Sequence, residues 1–228
     1  IHFECDYTTG AHPKVLEALV ATNGEAHCGY GMDDHCKQAA DQIRTLCQAP
    51  EADVHFLVGG TQTNMTVIAA LLRPHQGVLC AQSGHINVHE TGAVEATGHK
   101  VLGLPAVNGK ITAQQIDDAC RAHFEDPNTE HLVQPGMVYL SQTTELGTVY
   151  TKAELTALRH CCDEHGLLLF LDGARLGSAL TSPESDLTLA DLAALTDVFT
   201  IGGTQNGALF GEAVVLTVPC THFRWHIK

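Results

Sequence analysis

The chain has 228 residues, 44% of them hydrophobic, enough for one large core. Twelve lysines and arginines against 26 acidic residues give a formal charge of −14, a field that repels phosphate backbones and anionic lipid and argues against nucleic-acid and membrane partners. Nine cysteines show neither paired spacing nor a C-x-x-C; with no charged-then-apolar leader and no apolar run long enough to span a bilayer, the expectation is reduced thiols in a cytoplasmic protein.

In chain order, residues 1–5 read as an extended apolar segment. Residues 13–22 place Val15, Leu16, Leu19 and Val20 on one face of a surface helix that opens on Pro13. A second amphipathic helix is predicted over 33–47, then a short strand over 54–58 ended by Gly59-Gly60, a helix over 61–72 and a buried strand over 77–81. Strands follow at 101–104, 137–141, 167–171, 197–201 and 213–217, with helices at 113–124 and 152–165. This alternation predicts an α/β fold, a three-layer α/β/α domain with a mostly parallel sheet. Such sheets bind ligands beyond the carboxyl ends of their strands, so the loops after Val58, Ala81, Ser141, Leu171 and Ile201 are the places to look.

Each of those loops has a chemical reading and a plain one. Gly59-Gly60-Thr61 joins a strand to a helix, where free N–H groups and the helix dipole can hold a phosphate; a tight turn with a capping threonine is the alternative. The segment lacks the spacing of a dinucleotide or P-loop motif. Asp172-Gly173-Ala174-Arg175 places a carboxylate just after a buried apolar run, where it needs a cationic partner. A pyridinium nitrogen is one such partner; an internal ion pair with Arg175 is the other. His85 and His89 are four apart, and His99 could add a third metal ligand, but Ser83-Gly84 places His85 at a helix start, where its ring could cover a flat cofactor. Glu90 lies outside an H-E-x-x-H arrangement. Three glycines between Ile201 and Ala208 imply close approach of the backbone to something, or a glycine-rich turn.

Taken together, these loops resemble the threonine aldolase and aromatic amino acid β-eliminating lyase family of pyridoxal-phosphate (PLP) enzymes with the type I aspartate-aminotransferase fold. The matching segments occur in order: Asp6 with Gly10-Ala11-His12-Pro13, Tyr30-Gly31 with Asp33, Gly60-Thr61 with Asn64, His85-Ile86 with His89-Glu90-Thr91-Gly92-Ala93, Ser141-Gln142 with Thr144-Glu145 and Gly147-Thr148, Leu171 to Arg175, and Gly202-Gly203-Thr204 with Asn206-Gly207-Ala208.

The resemblance implies a PLP-binding large domain over 1–218, with 219–228 leading toward a small C-terminal domain that has no counterpart here. It implies that Gly60 and Thr61 bind the cofactor phosphate, His85 stacks on the ring, Asp172 pairs with the ring nitrogen, and Arg175 binds the cofactor edge or the substrate carboxylate. His85, Glu90 and the Schiff-base position would be the catalytic set. Cys5 falls where the family has a serine that helps hold the substrate carboxylate, and Tyr30 and Asp33 would lie at the interface of a homo-oligomer, a dimer or tetramer. The implied reaction is retro-aldol cleavage of a β-hydroxy-α-amino acid to glycine and an aldehyde. The Schiff-base lysine falls on Gln205, whose amide nitrogen is delocalised and is no nucleophile. PLP is therefore expected to bind non-covalently and turnover to be impaired, with a catalytically silent binding protein or partner subunit as the alternative.

Overall fold

Two neighbouring strands show how the layers arise. In β4 (Gln134–Ser141) and β5 (Leu168–Asp172), Val138, Leu140, Leu169 and Leu171 enter one core, whereas Met137, Tyr139 and Phe170 enter the other. Successive side chains of a strand point to opposite faces, so strands that are apolar throughout need cover on both. The computed structural model, which describes residues 5–219, supplies that cover. The predicted extended segment at 1–4 and the segment from 220 onward lie outside the described residues.

The other strands are β1 (Asp53–Leu57), β2 (Gln76–Ala81), β3 (Val101–Leu104), β6 (Val198–Gly202) and β7 (Glu212–Leu216). They form one seven-stranded sheet in the order β1-β7-β6-β5-β4-β2-β3. The pairings β2–β3, β2–β4, β4–β5 and β5–β6 are parallel, and β7 runs antiparallel to both β1 and β6. The mostly parallel sheet is thus as predicted.

Helices α1 (Pro13–Thr22), α2 (Asp34–Leu46), α3 (Gly60–Leu71), α4 (His85–Val88), α5 (Ala113–Phe124), α6 (Lys152–His165), α7 (Leu176–Leu180) and α8 (Leu189–Leu195) complete the fold. Ile116, Leu155, Leu158, Leu176 and Leu192 pack α5 to α8 on one face of the sheet, while Val67 and Ile68 of α3 and Ile86 of α4 pack on the other. Helix starts are set locally: Thr112, Thr151 and Thr188 each form a capping box with the residue three further on, and Asp33 caps α2. Helix α1 has the predicted span and buries none of its residues.

Strand β4 begins three residues before the predicted start, at Gln134. Pro135 and Gly136 masked that end, because proline cannot donate to a ladder and glycine gives no side-chain pattern. Helices α4, α7 and α8 have at most seven residues, too few for a helical period to register.

Candidate active site

The strand ends converge as the topology requires. A cavity of about 930 Å³ is lined by Val58 to Thr61 after β1, by His85 after β2, by Ser141, Thr143, Thr144 and Glu145 at the end of β4, by Asp172, Ala174 and Arg175 at the end of β5, and by Thr204 and Gln205 after β6. Cys5, Asp6 and Asn64 also line it. Of the candidate residues, Cys5, Gly60, Thr61, His85, Asp172, Arg175 and Gln205 therefore share one cavity, and Glu90 lies behind it, buried against His85. Tyr30 and Asp33 do not line it; they border a separate cavity beside α2.

Asp172 is buried, and its carboxylate is held by three donors. Tyr139 Oη lies 2.5 Å and Asn64 Nδ2 3.0 Å from Oδ2, and the Ala174 N–H donates to Oδ1 at 2.9 Å. The internal ion pair with Arg175 is not formed: Arg175 pairs with Asp6 through its Nε and Nη2. Burial, then the charge of Asp172, pushes the Tyr139 phenol well above its ordinary value, so it stays a neutral donor.

Asn64 also ties Asp172 to the second buried carboxylate. Its Nδ2 donates to Glu90 Oε1 at 2.7 Å, and the same oxygen meets His85 Nδ1 at 2.8 Å. The Glu90 hydrogen bond, opposed by burial, raises the His85 pKa. A third carboxylate positions the His85 backbone: Glu145 Oε1 accepts from the His85 N–H at 2.8 Å and from Ser141 Oγ at 2.5 Å. The metal reading does not survive, since His99 turns to the Gln76 carbonyl at 3.0 Å and His85 is engaged by Glu90.

The glycine-rich segment after β6 approaches the Asp172 loop. A Cβ on Gly173 would stand 2.0 Å from the Thr200 carbonyl oxygen, and one on Gly202 would stand 2.2 Å from that of Ala174. Asn206 Nδ2 bridges the two loops, donating to Ala174 O at 3.0 Å and to Gly202 O at 2.9 Å. Gln205 sits in this clamp, its buried Oε1 without a hydrogen-bond partner among the described residues.

Four side chains escaped the site assignment. Asn64 and Glu145 lay within matched segments but carried no role. Tyr139 reads as one more apolar strand residue. Glu212 opens β7, pairs in register with Leu57 and Gly202, is buried, and lines the same cavity. Burial, helped by the charge of Asp172, pushes its carboxyl up to about 8.

A buried carboxylate after β5, an imidazole held by a second carboxylate after β2, and a strand-to-helix turn on the same rim match the ordered segments noted in the sequence. The family model for beta-eliminating lyases matches residues 2–219. The chain belongs to the beta-eliminating lyase family. Within it, the low specificity L-threonine aldolase of Pseudomonas aeruginosa is 33% identical over 215 residues, covering 93% of this chain and 61% of that protein. The low specificity L-threonine aldolase of Saccharomyces cerevisiae is 26% identical over 224 residues, 96% of this chain and 56% of its own. Among solved structures, the threonine aldolase of Leishmania major superposes with a TM-score of 0.89 at 50% identity, over 98% of this chain and 62% of that one. The chain thus spans about three fifths of the length of these relatives.

Beta-eliminating lyases of this type depend on PLP, and the residues present fit that group. Gly59 and Gly60 leave open space where a Cβ would stand, at the start of α3. Asp172 presents a buried carboxylate, and His85 a half-exposed ring on the same cavity wall.

Proposed function

We propose that this chain is the cofactor-binding part of a PLP-dependent carbon-carbon lyase acting on threonine or a similar β-hydroxy-α-amino acid, with an impaired Schiff-base position. The observation that carries the reading is the Asp172–Asn64–Glu90–His85 hydrogen-bond chain along the cavity. When bound, PLP supplies an electron sink for the bond being broken.

The protein's own residues supply the rest. The first turn of α3, with Gly60 and Thr61, offers N–H groups and a hydroxyl to the phosphate. Asp172, fixed by three donors, would face the ring nitrogen and favour its protonated form. His85 would cover the ring of the cofactor, and Glu90 holds its Nδ1, which leaves Nε2 to take the β-hydroxyl proton; a positioned base of this kind contributes about 10²–10⁴-fold. Arg175, with Cys5 nearby, receives the substrate carboxylate once Asp6 yields it. Gln205 offers a delocalised amide where a Schiff base needs an amine, so it could hold the cofactor only non-covalently.

A homo-oligomer of dimer or tetramer type is part of this proposal. Its support is apolar surface: Leu16, Leu19 and Val20 of α1 are exposed, as are Tyr30 and Met32. A cytoplasmic site agrees with the eight described cysteines, all free thiols. Among the described residues no helix is long and apolar enough to cross a membrane.

The test is PLP titration by absorbance, with threonine cleavage followed as glycine release and covalent capture read by mass after borohydride reduction. The unaltered chain is expected to bind PLP reversibly, retain none after reduction, and cleave at background. Gln205→Lys is expected to retain PLP and gain activity. Rapid cleavage by the unaltered chain, or no PLP binding by either form, overturns the proposal.

A further inference from the structure

The connection from α1 to α2 carries three side chains that the cavity chemistry does not use. Glu25 follows the turn that closes α1, where its N–H donates to the Thr22 carbonyl at 3.0 Å. His27 lies two residues on, and His35 is in the first turn of α2. Both imidazoles turn their Nε2 atoms to one carboxylate oxygen: Glu25 Oε2 is 3.2 Å from His27 Nε2 and 3.1 Å from His35 Nε2. The two rings meet edge to face with centroids 4.9 Å apart.

Those separations carry the inference. Zinc binds imidazole nitrogen and carboxylate oxygen at about 2.0–2.2 Å in tetrahedral geometry, which sets ligand atoms roughly 3.3 Å apart. Both Glu25-to-histidine edges fall within 0.2 Å or so of that figure, and the three ligand atoms all lie within 4.8 Å of one another. The remaining histidine–histidine edge also lies within 4.8 Å, and both rings are exposed and so free to turn toward a shared ion. The cluster is open to solvent, so water can complete the shell. Among the described residues this is the one group of His, Cys, Asp and Glu side chains with metal-ligand spacing.

We propose that Glu25, His27 and His35 form a binding site for a divalent transition-metal ion, zinc by preference, which ties the α1–α2 connection to the start of α2. Two imidazoles and one carboxylate suit zinc better than magnesium or calcium, which take oxygen ligands. The clip closes a ten-residue separation between Glu25 and His35, and within it lie Tyr30, in the left-handed region at φ 65°, and Asp33, the cap of α2. Bound metal would therefore hold the segment that presents the exposed Tyr30 and Met32 side chains.

The experiment uses the intact chain, stripped with chelator and kept reduced. Zinc affinity is measured by competition with a chromogenic chelator, the ligand type by the visible spectrum of the cobalt form, and segment order by amide hydrogen exchange. The expected result is one saturable equivalent, a cobalt spectrum without a thiolate charge-transfer band, and slower exchange over residues 24–33. Loss of even an outer partner of a metal ligand costs about 10–100-fold in affinity, so replacing two ligands in His27→Gln/His35→Gln should cost roughly 100-fold or more. Both side chains are exposed, and unchanged far-ultraviolet dichroism would show that the variant is folded. Absence of a saturable equivalent, unchanged affinity in the double variant, or a thiolate band that vanishes in Cys28→Ser would each overturn the site.

Discussion

Tyr139 and Asp172 lie on adjacent parallel strands, and the tyrosine hydroxyl reaches Oδ2 of the aspartate at 2.5 Å from two residues further down the sheet. The register explains it. Tyr139 stands opposite Phe170 and Ser141 opposite Asp172, so Tyr139, Phe170 and Asp172 point to the same face. Tyr139 meets Phe170 edge to face, with centroids 5.4 Å apart. The ring is thereby fixed, and its hydroxyl holds the carboxylate that the cofactor's ring nitrogen would meet.

Tyr139→Phe should thus separate packing from hydrogen bonding. The ring stays and the donor goes, which costs about 1.5–3 kcal/mol for a hydrogen bond to a charged group. Urea unfolding should show that loss with an unchanged slope, and PLP titration should show affinity falling by up to about tenfold as Asp172 gains rotational freedom. Asp172→Ala should abolish measurable PLP binding while Tyr139→Phe retains it. Equal PLP affinity across all three forms would remove Asp172 from the cofactor site.

The Glu90–His85 contact makes a prediction with a definite sign. Because Glu90 raises the His85 pKa, the contact contributes stability that is full below the ordinary histidine value of about 6.5 and is lost as pH rises through the folded-state value. Glu90→Gln should lower the His85 pKa in an NMR titration of the imidazole signals and flatten that part of the stability profile. An unshifted titration would mean that the carboxylate is not the dominant neighbour in solution.

Arg175 is engaged by Asp6, at a site where both side chains are two-fifths exposed. The hydrogen bond from Arg175 holds the Asp6 carboxyl below the usual range, so the pair supports folding above the ordinary aspartate pKa and stops doing so as pH falls through the lowered value. Exposure limits its worth to less than about 1 kcal/mol. Arg175→Ala should therefore change the unfolding midpoint little yet lose binding of the amino-acid carboxylate, read as quenching of the PLP complex by threonine. A large stability loss with binding intact would reverse the assignment.

Much of the fold was legible because its apolar runs are buried on both faces: 137–141 and 167–171 contain almost no polar residue and need a sandwiched sheet. The ordered loop segments likewise pointed to Asp172, His85 and Gly60-Thr61. What stayed illegible depends on contacts between residues distant in the chain. The Asn64 bridge joins positions 26 and 108 residues away. Nothing beside Arg175 in sequence says that Asp6, 169 residues distant, takes it from Asp172. Glu212 follows a glycine and precedes an apolar strand, a pattern that fits an exposed turn as well as a buried wall; only the antiparallel pairing of β7 with β1 and β6 brings it to the cavity.

Glu212 yields the strongest pH effect. Its side chain has no hydrogen bond or ion pair among the described residues, and burial together with the nearby Asp172 charge raises its carboxyl from the ordinary 4.5 to about 8. In the unfolded chain it ionises near its ordinary value, so between that pH and about 8 the folded state holds a proton that the unfolded state has released. The folded state binds more protons, and stability must fall across this window as pH rises. A shift of this size corresponds to roughly 3–5 kcal/mol if the site stays closed, and less if water enters the open cavity. Glu212→Gln keeps the shape and removes the ionisation. Urea unfolding at steps from pH 5 to 9 should show the parent losing stability progressively and the variant holding a flatter profile, with the difference greatest near pH 8 and above. A carboxyl carbon NMR titration gives the second reading: one glutamate should titrate near 8 in the parent and be absent in the variant. If every glutamate titrates below about 5.5, the Glu212 wall is hydrated, and the raised value and its pH effect both fall.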